Sequence, residues 1–475
     1  MTKPDLARRS LLTSAGMCTL AAMLPGLSLA QPSSGNDGKG RNPVLPPGMH
    51  IPDPEGHVMP DGRLYVYGSW DRHDDTYCSN QYRVFSTPNL RDWSDHGVSF
   101  DSVQVPWMGQ PATYPGVDWS KPTPFMRKML EEAKKDPNFK PPVFPKEMLF
   151  APDCIHHQGR YYLYFCMPDG SEGVAVGDSP QGPFHRPVQL PCGGIDPAVF
   201  IDRDGSAYFY WGQFFSHGAR LTPSMTDFVP GSEISNLVTE EQHFFHEGSS
   251  MRRRGNTYYY VYASVERGKP TTLSYATSTS PLGPFTHRGI IIDNAACDPK
   301  SWNNHGSIEE VDGQWYVFYH RSSRSSQYHR RLCIEPITFR DDGSIIEAKM
   351  TSQGAGEPFR AGETIPAWRA CEVLGGAWIG PGIDGREVLA VSGDRNEALF
   401  RYIAFDRQPK RVNFSGVGEG QVEVYLNESM APIGRCHITN GRGTASLKDV
   451  ASGRHALRLV FRLPRGLRLH SVQFS

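Results

Sequence analysis

One phrase recurs five times along the chain, and a repeat constrains a fold more tightly than any single motif. The phrase is Gly-x-x-Tyr within alternating aromatic and aliphatic residues. Its copies are GRLYVYGSWD from Gly62, GRYYLYFC from Gly159, GSAYFYWGQF from Gly205, GNTYYYVYAS from Gly255 and GQWYVFYHR from Gly313. Tyr, Phe and Val favour strands and the glycine marks a tight turn, so each copy predicts a β-hairpin. The last three copies stand roughly 50 residues apart, the period of a four-stranded blade. The first interval is about twice that, which predicts an insertion between Gly62 and Gly159. A second phrase follows three of the hairpins at a fixed offset: FSTPNLRDWSDHG from Phe85, DSPQGPFHR from Asp178 and STSPLGPFTHRG from Ser278. Its Pro and Gly mark turns. Five strand-turn-strand units predict an all-β chain with five blades around an axis, a five-bladed β-propeller.

In such a ring the first strand of each blade lines a central channel. Five ionisable residues precede the hairpin glycines by six to nine positions: Asp53 in IPDPEGHV, Asp153 in APDCIHH, Asp196 in GIDPAVFID, Glu247 in FHEGSSM and His305 in NNHGSIEEVDG. A solvated surface charge has no reason to keep that phase. These groups are therefore expected to converge on one pocket.

The remaining segments read as follows. Residues 1–30 carry Arg8-Arg9-Ser10-Leu11-Leu12 and an apolar run ending at Ala30, a twin-arginine-like export signal. That predicts a bacterial protein of the periplasm or exterior. A polar linker occupies 31–42. The propeller is assigned to 43–362. Within the insertion, Thr123 is a candidate N-cap and Pro124 a first helical residue, and Phe125, Met129, Leu130 and Ala133 offer an apolar face. From Pro366 the texture changes to short alternating segments divided by Gly, Asn and Asp turns, which predicts a jelly-roll-like β-sandwich over 366–475. Cys78, Cys154, Cys166, Cys192, Cys297, Cys333, Cys371 and Cys436 form no C-x-x-C pair, so neither zinc ligation nor a disulfide scaffold is expected. Formal net charge is −1, and nothing in that balance suggests nucleic acid or an anionic membrane as partner. A neutral glycan is compatible with it. The run Arg252-Arg253-Arg254 reads as a solvated turn.

The order Asp, Asp, Glu on successive repeats, with a histidine after them, resembles glycoside hydrolase family 43 over about residues 43–350. The phrases that carry it are IPDPEGHV before RLYVYGS, GIDPAVFID before AYFYWG, HEGSSMRRRGNTYYYVYAS, and NNHGSIEEVDGQWYVFYHR. RLYVYGSWD and RRLCIEPITF are similar to the arabinofuranosidase and xylosidase branches. The resemblance implies inversion at an anomeric carbon, with Asp53 as general base, Glu247 as general acid and Asp196 as the group that orients the acid and keeps it protonated. Glycosidic cleavage needs one carboxylic acid and one carboxylate on opposite faces of the sugar.

It further implies that His305 is the channel histidine, with a possible structural calcium beside it and no required cofactor; a hydrogen-bonded structural histidine is the other reading. Arg330 falls where the family holds sugar hydroxyls, with Arg331 on the opposite side of the strand. Asp153, Trp70 and Trp211 are further candidates for substrate contact, the tryptophans either as a stacking wall or as core. The C-terminal region resembles carbohydrate-binding module family 6. Its turn from Asn440 to Val450, NGRGTASLKDV, lacks the aromatic that would stack on a sugar, so a structural or weakly binding role is expected. The expected substrate is an oligo- or polysaccharide of plant cell walls bearing α-L-arabinofuranosyl or β-D-xylosyl groups. The alternatives are an exo-galactosidase on galactan-type side chains and a catalytically silent glycan-binding propeller.

Overall fold

The computed structural model describes residues 40–110, 113–114, 122–135, 144–382 and 386–475. The expected export signal and most of the linker lie outside these residues. Blade I comprises Glu55–Val58, Leu64–Tyr67, Gln81–Thr87 and Ser94–Asp101, and blade II comprises Asp153–His157, Arg160–Cys166, Ser171–Gly177 and His185–Gly193. Blade III has three strands, Ala198–Ile201, Ala207–Trp211 and His217–Arg220. Blade IV runs through Phe245–Arg254, Thr257–Ser264, Thr272–Ser278 and Thr286–Asp293. Blade V has Ser307–Val311, Gln314–Ser323 and Ser326–Pro336. Each blade is an antiparallel meander in sequence order. The N-terminal segment closes the ring against blade V: the Val44 amide donates to the Leu332 carbonyl at 3.1 Å, and the Asn42 side chain bonds both the amide and the carbonyl of Ile334.

The recurrent hairpin strand explains the closure. Successive side chains on a strand point to opposite faces. Leu64 and Val66 pack with Phe318, Leu332 and Ile334 of blade V, while Tyr65 and Tyr67 pack with Leu163 and Phe165 of blade II. Tyr164 then faces Phe209 and Trp211 of blade III, and Tyr210 faces Tyr260 of blade IV. Tyr259 and Val261 meet Val317 and Tyr319 of blade V. Both faces of every hairpin strand are thus buried between neighbours, which is why these segments are apolar or aromatic throughout.

The insertion carries the expected helix, Pro124–Lys134. Thr123 caps it, its hydroxyl accepting from the Met126 amide and donating to Glu240 at 2.5 Å. The fully buried side chain is Met126, outside the expected apolar face; Leu130 is half-buried, and the side chains of Phe125, Met129 and Ala133 lie outside the described residues.

The C-terminal region is a β-sandwich whose layers are joined edge to edge. Three long strands, Glu387–Phe405, Arg411–Leu426 and Gly453–Phe474, bend through several partners and enclose one hydrophobic core. Its first strand is Phe359–Arg360, paired in parallel with Ile403 and Ala404. The domain boundary therefore lies near residue 359, earlier than the change of texture at Pro366. The linker likewise ends sooner than expected, because Arg41 is buried and donates to the carbonyls of Glu357 and Pro358.

Arg331 ties the two domains together through a buried ion pair with Glu387 at 2.9 Å. Burial alone would raise Glu387; Arg331 and His50 outweigh it and hold the carboxyl at about 2, below its ordinary 4.5. A depressed carboxyl stabilises the fold above its unfolded value and loses that contribution as pH falls through the folded one. Glu387→Gln is expected to cost roughly 3–5 kcal/mol near neutrality, because Arg331 is left buried and unpaired. In urea unfolding the gap to wild type should narrow as pH is lowered from 4.5 towards about 2.

Candidate active site

Asp53 and Asp196 occupy equivalent places on blades I and III. Both precede a proline and both hold left-handed backbone, at φ 55° and 56°. A non-glycine residue in that region stores strain and persists where its surroundings over-determine it. For Asp53 part of the surroundings is visible: its amide donates to His320 Nδ1 at 3.3 Å, and the other ring nitrogen of His320 donates to the Asn303 carbonyl at 3.0 Å. That pattern fixes the tautomer with the proton on Nε2. Burial and the nearby Arg330 push His320 well below its usual range, so the ring is neutral.

Glu247 lies in the first strand of blade IV, between two register shifts of its pairing with the next strand. Such a bulge turns a side chain away from the regular alternation. Gln213, from the loop that follows the hairpin of blade III, donates its amide to Glu247 Oε2 at 2.8 Å. Gly248 follows at φ 78°, and a Cβ there would stand 2.9 Å from the His305 ring. Glycine is what lets the histidine approach.

His305 stands between the acids. Its Nδ1 is 3.8 Å from Asp53 Oδ1 and 3.8 Å from Asp196 Oδ2. Burial lowers its pKa, against the pull of Asp53 and Glu247. Burial, together with the charges of Glu247 and Asp53, pushes Asp196 well above the usual carboxylate range. Like charges in one buried site cannot all ionise. Asp53 has what Asp196 lacks: Arg330 Nη1 at 2.8 Å. The remainder of the Arg330 fork sits on Asp71, with Nε and Nη2 each 3.0 Å from a carboxylate oxygen. Arg331, one residue on, points away to the sandwich. Blades I, III, IV and V thus bring Asp53, Asp196, Glu247, His305 and Arg330 together.

Two of the expected contacts, Asp153 and Trp211, go elsewhere, and Trp70 is only partly buried. Asp153 is buried, its carboxylate taken up by His57 Nε2 at 2.7 Å and by the amides of Cys154 and Val199. Trp211 is in phase with Phe209 and stacks on it and on Phe228 in the core between blades II and III. Trp70 packs against the cluster between blades I and V and lies beneath the guanidinium groups of Arg72 and Arg83. The arginine run is also corrected. Arg252 is buried, not solvated, and reaches Glu309 at 2.7 Å and Glu55 at 3.1 Å. Gln213, Asp71 and His320 were not singled out from the sequence. All three stand in the repeated phrases, Asp71 at the end of GRLYVYGSWD, Gln213 in GSAYFYWGQF and His320 in GQWYVFYHR, each just past its hairpin strand's aromatic run.

A calcium site finds little support in these side chains. Calcium takes six to eight oxygen ligands. His305 faces one oxygen each from Asp53 and Asp196, and Arg330 already binds the former. Among the described residues the one cluster with ligand spacing is Glu55, His57 and Asp153. There Arg252 supplies the positive charge, 3.1 Å from Glu55 and 3.4 Å from His57. Burial and Asp153 push Glu55 up to about 8 even so.

The family model for glycosyl hydrolases family 43 matches residues 117–345. A xylosidase/arabinosidase of Thermoclostridium stercorarium is 30% identical, over 89% of this chain and 96% of its own length. A xylosidase/arabinosidase of Bacteroides ovatus is 28% identical, over 64% of this chain and 96% of that one. Among solved structures, a family 43 beta-xylosidase/alpha-arabinofuranosidase from a compost metagenome, in complex with xylotriose, superposes with a TM-score of 0.50 at 26% identity, covering 68% of this chain and 99% of that one. A Xanthomonas citri enzyme complexed with xylose gives 0.50 at 25%, over 67% and 95%.

Proposed function

The chain belongs to glycosyl hydrolase family 43, and on that premise we propose that it removes terminal α-L-arabinofuranosyl or β-D-xylosyl groups from plant cell-wall glycan with inversion. The observation that carries this reading is the unequal treatment of the carboxyl groups around His305. Arg330 pairs with Asp53 at 2.8 Å, and among the described residues no arginine is so placed on Asp196. Burial and the neighbouring charge of Glu247 push Asp196 well above the usual carboxylate range. One carboxyl group paired with an arginine, across from a buried one that is pushed up, suits a site that divides base and acid work.

In this scheme Asp53 takes a proton from a water held on one face of the sugar. Glu247 delivers its proton to the glycosidic oxygen on the other face. The C–O bond to the leaving group breaks as the water oxygen bonds to the anomeric carbon, through an oxocarbenium-like state. Asp196 orients Glu247 and keeps the proton in place. His305, neutral, separates Asp53 from Asp196 without adding charge. The Arg8-Arg9 start supports an exported, bacterial enzyme that meets polymer outside the cytoplasm. The missing aromatic in the turn at 440–450 supports a structural or weakly binding role for the sandwich.

The test is a panel of aryl α-L-arabinofuranosides, β-D-xylosides and β-D-galactosides, with proton NMR of the first product formed. Turnover of one of the first two, with the anomer opposite to that of the substrate, is expected. Product of retained configuration would remove Asp53 as a base acting on water.

A further inference from the structure

Beyond the catalytic pocket, the surface where the two domains meet holds a cleft of about 700 Å³, within the range of small-molecule sites. One wall is the tip of the blade V hairpin, with Gln327, Tyr328 and His329. Lys300 and Asp74 come from neighbouring propeller loops, and the sandwich contributes Trp378. The domains are pinned at this edge, since the Arg324 amide donates to the Ile379 carbonyl at 2.6 Å. Asp298 fixes the propeller side, accepting from the amides of Lys300 at 2.8 Å and Ser325 at 3.0 Å. Trp378 lies over Gly380 so closely that a Cβ there would meet the indole at 2.3 Å. The ring is half-buried and turns the rest of its surface to the cleft.

The cleft is linked to the catalytic pocket through consecutive contacts. Tyr328 meets Tyr77 edge to face, with ring centroids 4.8 Å apart. The Arg330 guanidinium carbon lies 4.8 Å from the Tyr77 centroid, and Arg330 reaches Asp53. The segment between Asp71 and Tyr77 also carries Asp74, which pairs with His329 at 2.9 Å. An aromatic face surrounded by hydroxyl, amide, ammonium and carboxylate groups of both signs suits a neutral pyranose chain, which offers an apolar ring face and a rim of hydroxyls.

We propose that this cleft is a leaving-group subsite: it binds the pyranosyl backbone from which the terminal sugar is cut, with Trp378 as its stacking platform. The inference rests on the glycosidase reading and extends it from the bond broken to the polymer that carries it. It gives the sandwich a part in substrate selection through its strand next to the propeller, while the turn at 440–450 takes none.

The experiment compares kcat/KM for an arabinose-decorated xylo-oligosaccharide with kcat/KM for an aryl glycoside of the same terminal sugar, whose leaving group is too short to reach the indole. Trp378→Ala is expected to lower the ratio of the first to the second at least about tenfold, mostly through KM, since loss of one stacked ring is worth on the order of 1–3 kcal/mol. Trp378→Phe should restore most of it. A ratio within twofold of wild type overturns the proposal, as does an equal fall on both substrates. If Trp378→Ala does not fold, the same ratio is read on the double variant Lys300→Ala/Gln327→Ala, where an unchanged value also overturns it. A wild-type protein without aryl glycosidase activity would fail at the earlier reading, a result distinct from any change in the ratio.

Discussion

Glu247→Gln is expected to lower kcat at least about a hundredfold on substrates with sugar leaving groups, the usual worth of a positioned general acid. The substitution keeps the size of the side chain. Gln213 donates to Glu247 Oε2 at 2.8 Å, and a glutamine can present its carbonyl oxygen to the same donor. The fold should survive, and unfolding midpoints of variant and wild type should agree. What the amide cannot do is give up a proton to the glycosidic oxygen. The size of the loss must then depend on how much the leaving group needs that proton. Alkyl and sugar alkoxides need it most. Phenolates of acidic phenols depart without it, so the deficit should shrink steadily across a series of aryl glycosides as the phenol becomes more acidic. Asp53→Asn should instead lose activity by a similar factor across the whole series, because activation of water does not depend on the leaving group. A Glu247→Gln variant within a few-fold of wild type on xylo-oligosaccharides would take Glu247 out of the mechanism.

The repeat made the ring legible, since alternation along one strand dictates which blade each side chain meets. That logic also decided the fate of Trp211: in phase with Phe209, it had to enter the core between blades II and III. Phase was equally informative for Asp53, Asp196, Glu247 and His305, because four blades bring their equivalent positions to one axis. It misled for Asp153, which keeps the phase but finds His57 and two amides before it reaches the pocket. Nothing local distinguishes it from Asp196. Arg252 was misread for the opposite reason. Three consecutive arginines look like a charged turn, yet the partners of Arg252 are Glu55 and Glu309, 197 and 57 residues away. Gln213 and Asp71 belong to the same class: ordinary polar residues whose meaning comes from a neighbour distant in the chain. Trp378 carried no signal either, because the pattern of a sandwich does not reveal which edge faces another domain.

Arg330 is where stability and chemistry are most tightly joined, and its removal should show both. The side chain is buried between Asp53 and Asp71, each itself buried. Arg330→Met would leave two carboxylates without their counter-charge, and breaking a buried pair in this way costs roughly 3–5 kcal/mol. Urea unfolding at neutral pH is expected to show a loss of that order. Catalysis should suffer separately. Arg330 Nη1 lies 2.8 Å from Asp53 Oδ1 and holds the carboxylate of the base in place. Without the guanidinium the carboxylate loses that anchor, and a displaced base should lower kcat by on the order of a hundredfold. Arg330→Lys restores the charge but not the fork, and one ammonium cannot hold both carboxylates as Nη1, Nε and Nη2 do together. It should recover part of the stability and little of the activity. Asp71→Asn separates the two effects. It loosens the clamp behind Arg330 while leaving the contact with Asp53 possible, so stability should fall while kcat stays nearer its wild-type value. A kcat unchanged in Arg330→Met would mean that Asp53 does not need Arg330 to hold its place, and its assignment as base would lose its geometric support.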